Sequence, residues 1–295
     1  MRRLVVVVAV TGMMLAGCGG SEPDPSVTPS SRGDIDQIVV ERSEGLAPQL
    51  IFDEGLDYVR PQTEFEWEGD GEPVGDGERL LLDIYAESLV DGTVVINSFD
   101  GLPRPFLMAP ELLGDSLYEA LEGARVGSRL LHVAPPVEEG SGEPPIALVI
   151  DVLPTRATGT EVAPSADRPV VALDEDGEPS IRVRDGEEPP GTLEVTTLIQ
   201  GDGEQIKEGS YIVAQYKGIN WSDGEVFDSS WDPGKAPFET QIGVGQVILG
   251  WDEGLIDQTA GSQVLLVVPP SFGYPDRGTL VFVVDILDVW NPEEQ

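Results

Sequence analysis

One cysteine and one histidine in 295 residues leave little material for thiol or metal chemistry. With Cys18 alone, neither an intramolecular disulfide nor a thiolate metal site can form, so the folded parts must be held together by burial. His132 lies inside the apolar run 130–133, where a satisfied core histidine is the ordinary reading, and no second metal-type ligand flanks it. No metal site is therefore expected. Basic residues are scarce too: three lysines (Lys207, Lys217, Lys235) and fourteen arginines face 54 acids, for a net charge of −37. Such a field repels phosphate backbones and argues against nucleic acid as a partner. The acids are spread along the chain as solvated faces, and the DEDG at 174–177 lacks the D-x-D-x-D-G spacing of a calcium loop, so a turn is expected there. Long apolar runs are also missing. The stretch 4–10 is too short for a membrane span and is broken by Thr11 and Gly12.

That stretch has another layout. Arg2 and Arg3 precede it and Leu15-Ala16-Gly17-Cys18 follows, as in a secretory signal peptide ending before a cysteine. The segment resembles a bacterial lipobox. The resemblance implies that residues 1–17 are a signal peptide and that Cys18 carries a diacylglyceryl thioether, anchoring the chain to the extracytoplasmic face of the cell membrane. Residues 18–48, rich in Gly, Ser, Pro and acid, read as a disordered tether.

Residues 49–154 then show strand-like runs at 80–85, 94–96, 130–133 and 146–153, with one helical stretch at Leu113, Leu117 and Leu121. Many strands and one helix make an α+β domain. Residues 155–190 lose this texture and read as a linker, with room for an edge strand of the next domain. From residue 191 to 291 the same order of elements returns. GDGE stands at 69–72 and 201–204, LLHVAPP at 130–136 answers VLLVVPP at 264–270, and VIDVL at 149–153 answers VVDIL at 283–287. Tyr85 before Asp91-Gly92 is paired in this reading with Tyr216 before Asp223-Gly224. The offsets stay between 131 and 134 residues, which identifies a duplication.

In the second copy the segment 216–251 gathers Tyr216, Trp221, Phe227, Trp231, Phe238 and Trp251, although the whole chain is only 6% aromatic. With Asp228 among them, this composition suggests an apolar pocket with one polar handle. Asp223-Gly224 is a hairpin turn between strands, and Val247, Ile248, Trp251 and Leu255 line one face of a short helix starting near Gln246. Trp251 is then the floor of the pocket.

These residues carry a specific resemblance. Tyr216-Lys217-Gly218, Phe227-Asp228-Ser229-Ser230, Val247-Ile248, Gly250-Trp251-Asp252-Glu253-Gly254, Pro269-Pro270-Ser271-Phe272-Gly273-Tyr274 and Thr279-Leu280-Val281-Phe282 resemble, in order and spacing, the FK506-binding (FKBP) family of peptidyl-prolyl cis-trans isomerases. The resemblance implies two tandem FKBP-like domains, each a curved antiparallel sheet wrapped on one short helix. It implies catalytic positions at Tyr216, Phe227, Asp228, Trp251, Tyr274 and Phe282, substrate contacts at Phe238, Val247 and Ile248, and no cofactor. A proline ring would sit on Trp251, with the Ile248 N–H and the Tyr274 hydroxyl on carbonyls of the bound chain. The substrates implied for an exported member are proline-containing exported polypeptides. Two features depart from the family pattern. Only residues 275–278 join Tyr274 to the last strand, and Lys235 stands near the place of the arginine that often pairs with the pocket aspartate.

In the first copy, Val95, Ile96 and Leu117 answer to Phe227, Asp228 and Trp251, so that copy is expected to bind or space and not to isomerise. The alternative for the whole chain is a non-catalytic chaperone or peptide-binding envelope lipoprotein.

Overall fold

The computed structural model describes residues 33–41, 47–136, 141–163, 169–184 and 186–292. The expected signal peptide and Cys18 lie outside the described residues. No helix among the described residues is long and apolar enough to cross a membrane.

The chain opens with a small antiparallel hairpin, β1 (Val39–Glu41) on β2 (Gln49–Ile51). There follow β3 (Gln62–Trp67), β4 (Arg79–Ser88), β5 (Val94–Asn97), β6 (Arg104–Leu107), α1 (Pro110–Leu113), α2 (Asp115–Leu121), β7 (Arg129–Ala134) and β8 (Ile146–Leu153). The sheet order is β3-β7-β8-β4-β5, with β6 also on β4. Successive strand residues face opposite sides, so both faces of this sheet need cover. Leu80, Leu82, Ile84 and Ile150 pack with Leu121 on the helix side, while Leu131, Val133, Ala147 and Val149 pack with Ile38, Val40 and Tyr58 on the other. This corrects the reading of 18–48 as a tether throughout, because residues 33–41 fold and Ile38 and Val40 are buried. Two apolar residues in a three-residue strand are too weak a pattern to stand out beside Gly and Ser.

The second half runs β9 (Thr160–Glu161), β10 (Val170–Leu173), β11 (Pro179–Arg182), β12 (Glu194–Gln200), β13 (Tyr211–Asn220), β14 (Val226–Ser229), β15 (Phe238–Gln241), α3 (Leu249–Gly254), β16 (Gln263–Val268) and β17 (Leu280–Trp290). Its sheet is ordered β14-β13-β17-β16-β12-β9, with β15 also on β13. The segment read as a linker is mostly built into this half. β9 pairs with β12, and the β10–β11 hairpin lays Val171 and Ile181 on Ile219, Leu265, Val281 and Val283. It covers its sheet as β1–β2 covers the first. The DEDG segment is the turn expected, with Asp174 Oδ1 accepting from Asp176 N at 3.0 Å and Glu178 N at 2.9 Å.

Two helix boundaries differ from the periodicity. The stretch through Leu113, Leu117 and Leu121 is split into α1 and α2 by Gly114, whose φ of 77° and ψ of 152° no helix accommodates. The helix carrying Trp251 starts at Leu249, with Ile248 extended as its N-cap.

The repeated GDGE marks a close backbone crossing. A Cβ on Gly201 would lie 2.1 Å from Ala260 O, and one on Gly69 would lie 2.2 Å from Val126 O. The same two glycine N–H groups donate to Ser262 Oγ and Ser128 Oγ, each at 2.9 Å. Because the neighbour is backbone and cannot swing away, Gly201→Ala is expected to destabilise the chain by about 2–4 kcal/mol. Urea unfolding of the variant measures this, and an unchanged midpoint would refute the crossing.

Arg79 at the start of β4 reaches into the second half. Its Nε donates to Ser230 O at 3.2 Å and its Nη2 to Asp232 O at 3.3 Å, with the guanidinium 5.3 Å from the Trp231 ring centre.

Candidate functional site

β13 and β14 build one wall. Their register sets Gly218 against Asp228, with a bulge before Ile219, so Phe227 and Asp228 are presented beside Tyr216. Gly218 is required there because a Cβ would lie 2.8 Å from Phe282 Cε1 and 2.9 Å from Phe227 Cζ. The short helix α3 raises Trp251 into the concave side of the sheet, where the indole is 3% exposed. Around it stand Tyr216 at 5.2 Å, Phe282 at 5.7 Å and Phe238 at 6.2 Å between ring centres, all edge-on at 81–89°. Phe227 closes on Phe282 at 5.5 Å and Tyr216 on Phe238 at 5.6 Å. Edge-on contact directs the positive rim of one ring at the negative face of the next, a favourable arrangement for each pair.

Six of the nine positions expected at the site are thus in one connected set: Tyr216, Phe227, Asp228, Phe238, Trp251 and Phe282. Val247 and Ile248 pack against the same core, and Tyr274 stands at the rim, 46% exposed. Two aromatics of the rich segment lie elsewhere. Trp221 is on the hairpin side of the sheet, its Nε1 donating to Glu187 O at 3.1 Å, and Trp231 is under Arg79. Strand alternation and the turn after β14 decide this, and local composition does not register either.

The polar handle is fully engaged. Tyr216 OH donates to Asp228 Oδ2 at 2.8 Å, and Lys235 Nζ lies 3.3 Å from Asp228 Oδ1 and 2.9 Å from Asp232 Oδ2. Burial, and after it the bond to Asp228, hold the Tyr216 phenol well above its ordinary range. The hydrogen bond to Asp232 comes first in raising Lys235. Tyr216 therefore stays a neutral donor and Lys235 a cation. The Trp251 indole N–H is buried without a partner among the described residues, an arrangement that costs about 1–3 kcal/mol.

Asp252 was not singled out from the sequence. Its Oδ1 and Oδ2 accept from Gly243 N and Gly245 N, both at 2.8 Å, which ties the loop before Val247-Ile248 to α3. Its place directly after Trp251 in the GWDEG run was the available signal. Arg277 was also missed, and its guanidinium lies 5.4 Å from the Phe227 ring centre and 5.5 Å from that of Tyr274. A cavity of about 440 Å³ lies elsewhere, between the β10–β11 hairpin and β12, lined by Val171, Thr197, Leu198 and Leu265 and by none of the site residues.

Residues 202–287 match the model of the FKBP-type peptidyl-prolyl cis-trans isomerases. An FK506-binding protein of Streptomyces anulatus is 38% identical over 114 residues, covering 35% of this chain and 91% of that protein. The chain belongs to the FKBP family. FK506-binding protein 1 of Debaryomyces hansenii is 42% identical over 110 residues, 34% of this chain and 96% of its own. A probable FK506-binding protein of Corynebacterium glutamicum is 32% identical over 106 residues, 33% of this chain and 87% of its own. The aromatic cluster around Trp251 falls within the stretch that matches the FKBP model.

Hydrogen bonds shared by the two sheets fix which residues of the first half correspond. Ser98 Oγ accepts from Ile84 N and donates to Asp83, just as Ser230 Oγ accepts from Tyr216 N and donates to Gln215. The position answering to Tyr216 is therefore Ile84, and the pairing of Tyr85 with Tyr216 is corrected. Tyr85 pairs with Val149 as Lys217 pairs with Val283, so it faces the other side of the sheet, where its hydroxyl bonds Glu87 at 2.5 Å. A one-residue slip reverses the face of every side chain, and a shared tyrosine was the wrong anchor for the register. His132 is satisfied on both nitrogens, by Thr63 Oγ1 at 2.8 Å and Ser116 Oγ at 3.0 Å, and burial lowers its pKa to about 4.

Proposed function

We propose that the chain is a peptidyl-prolyl cis-trans isomerase whose C-terminal FKBP-like domain accelerates X-Pro isomerisation in exported polypeptides. A first, non-catalytic FKBP-like domain precedes it. The observation that carries this reading is the ring of aromatic edges around Trp251, with Asp228 held by Tyr216 and Lys235 at its margin.

Resonance keeps an amide planar behind a barrier of about 18–20 kcal/mol, so uncatalysed X-Pro exchange takes on the order of tens to hundreds of seconds. The twisted transition state has lost that resonance and is less dipolar than either planar form. An apolar, water-excluding surface disfavours the planar forms more than the twisted one, which is differential binding. In this reading the proline ring lies on the indole of Trp251 between Phe282 and Phe238, while the Ile248 N–H and Tyr274 hydroxyl hold the flanking carbonyls. Tyr216 and Lys235 keep Asp228 fixed at the margin. No proton transfer is required. The first half has Ile84, Val95, Ile96 and Leu117 at these positions and so lacks the aromatic surface and the carboxylate.

The export part of the proposal rests on the N-terminal sequence, with Cys18 as the lipid-modified residue and the outer face of the cell membrane as the location. Mass spectrometry of the membrane fraction, expecting a diacylglyceryl adduct on Cys18, tests it, and a mature chain retaining residues 1–17 would refute it.

For the isomerase itself, the proline-limited refolding phase of a model protein is expected to quicken in proportion to added full-length chain. Asp228→Val, which imports an aliphatic residue like the first half's Ile96, is expected to reduce that effect about tenfold through loss of the Tyr216 and Lys235 contacts. Equal acceleration by both proteins would remove Asp228 from the mechanism.

A further inference from the structure

The four-residue turn 275–278 leaves one long side chain over the rim of the aromatic site. Arg277 N donates to Tyr274 O at 3.0 Å, and its guanidinium rests against the rings of Phe227 in the wall and Tyr274 at the rim. None of the ion pairs among the described residues involves Arg277. Lys235, the other cation near the site, is already committed to Asp228 and Asp232. In a chain with 54 acids against 17 bases, Arg277 is thus an exposed cation at the mouth whose side chain, among the described residues, rests on π-faces alone. A guanidinium so placed keeps its donor fork available to a carboxylate of a bound chain.

We propose that Arg277 is a specificity-determining residue that favours an acidic side chain immediately before the proline. The proposal rests on the isomerase reading above. The residue before proline is attached to the carbonyl that turns when the imide bond rotates, so its side chain sweeps the mouth while the proline ring stays on Trp251. A charge contact made during that sweep enters kcat/KM directly. The field of the −37 chain acts in the opposite sense and draws in basic peptides, so the local contribution is isolated by comparing variants and not by one absolute preference.

The test measures kcat/KM of the full-length chain for Ala-Xaa-Pro-Phe peptides with Xaa as Glu, Gln or Lys, using exchange NMR. The Glu-to-Lys ratio is expected to be highest in the wild type, to fall about threefold in Arg277→Met, and to fall about tenfold overall in Arg277→Glu, in line with exposed ion pairs. The differences are expected to shrink in about 0.5 M salt. A ratio that is the same in all three proteins overturns the proposal. If the wild type fails to turn over the Gln peptide, it is the isomerase reading that falls. Dissociation constants for the Glu and Lys peptides from tryptophan fluorescence then decide the charge selection, with the same stepwise fall supporting it and an unchanged ratio refuting it.

Discussion

Replacing Trp251 by leucine is expected to lower kcat/KM for a prolyl peptide by about 100-fold, equivalent to about 2.7 kcal/mol of transition-state stabilisation. Leucine is what the first half carries at the corresponding position 117, where it is half-buried against the core, so a helix at this place accepts the residue. The indole touches Tyr216, Phe238 and Phe282 together, so its loss opens the floor and releases three ring contacts at once. The smaller side chain also leaves a void, expected to cost about 2–4 kcal/mol of stability. Circular dichroism and urea unfolding separate that loss from the kinetic one. A Trp251→Leu protein that is folded and fully active would show that a general apolar surface suffices and that the indole has no special part.

The second large effect is on stability against pH, which is expected to rise on mild acidification. Burial, and after it the nearby Asp83 carboxylate, raises Asp288 to about 7, and burial raises Asp285 to about 6. A carboxyl with a raised folded-state pKa binds its proton in the folded chain while the unfolded chain is still ionised. Its stabilising contribution is therefore present below the unfolded value and is lost as pH rises through about 6 for Asp285 and about 7 for Asp288. His132 has the opposite sign. Burial lowers it to about 4, so protonation of the unfolded chain below about 6.5 works against folding until pH falls through the folded value. Asp285 and Asp288, with Asp83 also raised by burial, outweigh the one imidazole and leave a net gain of about 1–2 kcal/mol between pH 8 and pH 5. Relief of self-repulsion in a chain of −37 acts in the same direction. Urea midpoints at pH 8, 6.5 and 5 check the slope. Asp288→Asn is expected to raise the pH 8 value and flatten the profile, and a profile falling from pH 8 to pH 5 would contradict the assignment.

Much of the architecture was legible because the strands are long and apolar. The run 146–153 is β8 as read, and the hairpin at Asp223-Gly224 follows from a glycine whose φ is 73°. What escaped was encoded in contacts distant along the chain. β1, β2, β10 and β11 are strands of three or four residues whose apolar members acquire meaning only when laid on the far face of a sheet. The register of β4 against β13 was misread by one residue because Tyr85 and Tyr216 look alike, whereas the serines at 98 and 230, whose hydroxyls tie strand to strand, are inconspicuous. Within the site, the rings converge because period-two alternation and the β13–β14 bulge aim them at Trp251. Asp252 bonds a loop and Arg277 sits in a turn, and neither segment has a periodicity to read.

The measurement closest to the centre of this account is the exchange rate between the cis and trans forms of Ala-Gln-Pro-Phe, followed by NMR with and without the full-length chain. Acceleration is predicted, with kcat/KM flat between about pH 6 and pH 8, because a surface that works by shape and water exclusion has no titrating acid or base in its rate-limiting step. Exchange no faster than in buffer, or a bell-shaped profile in that window, would contradict it.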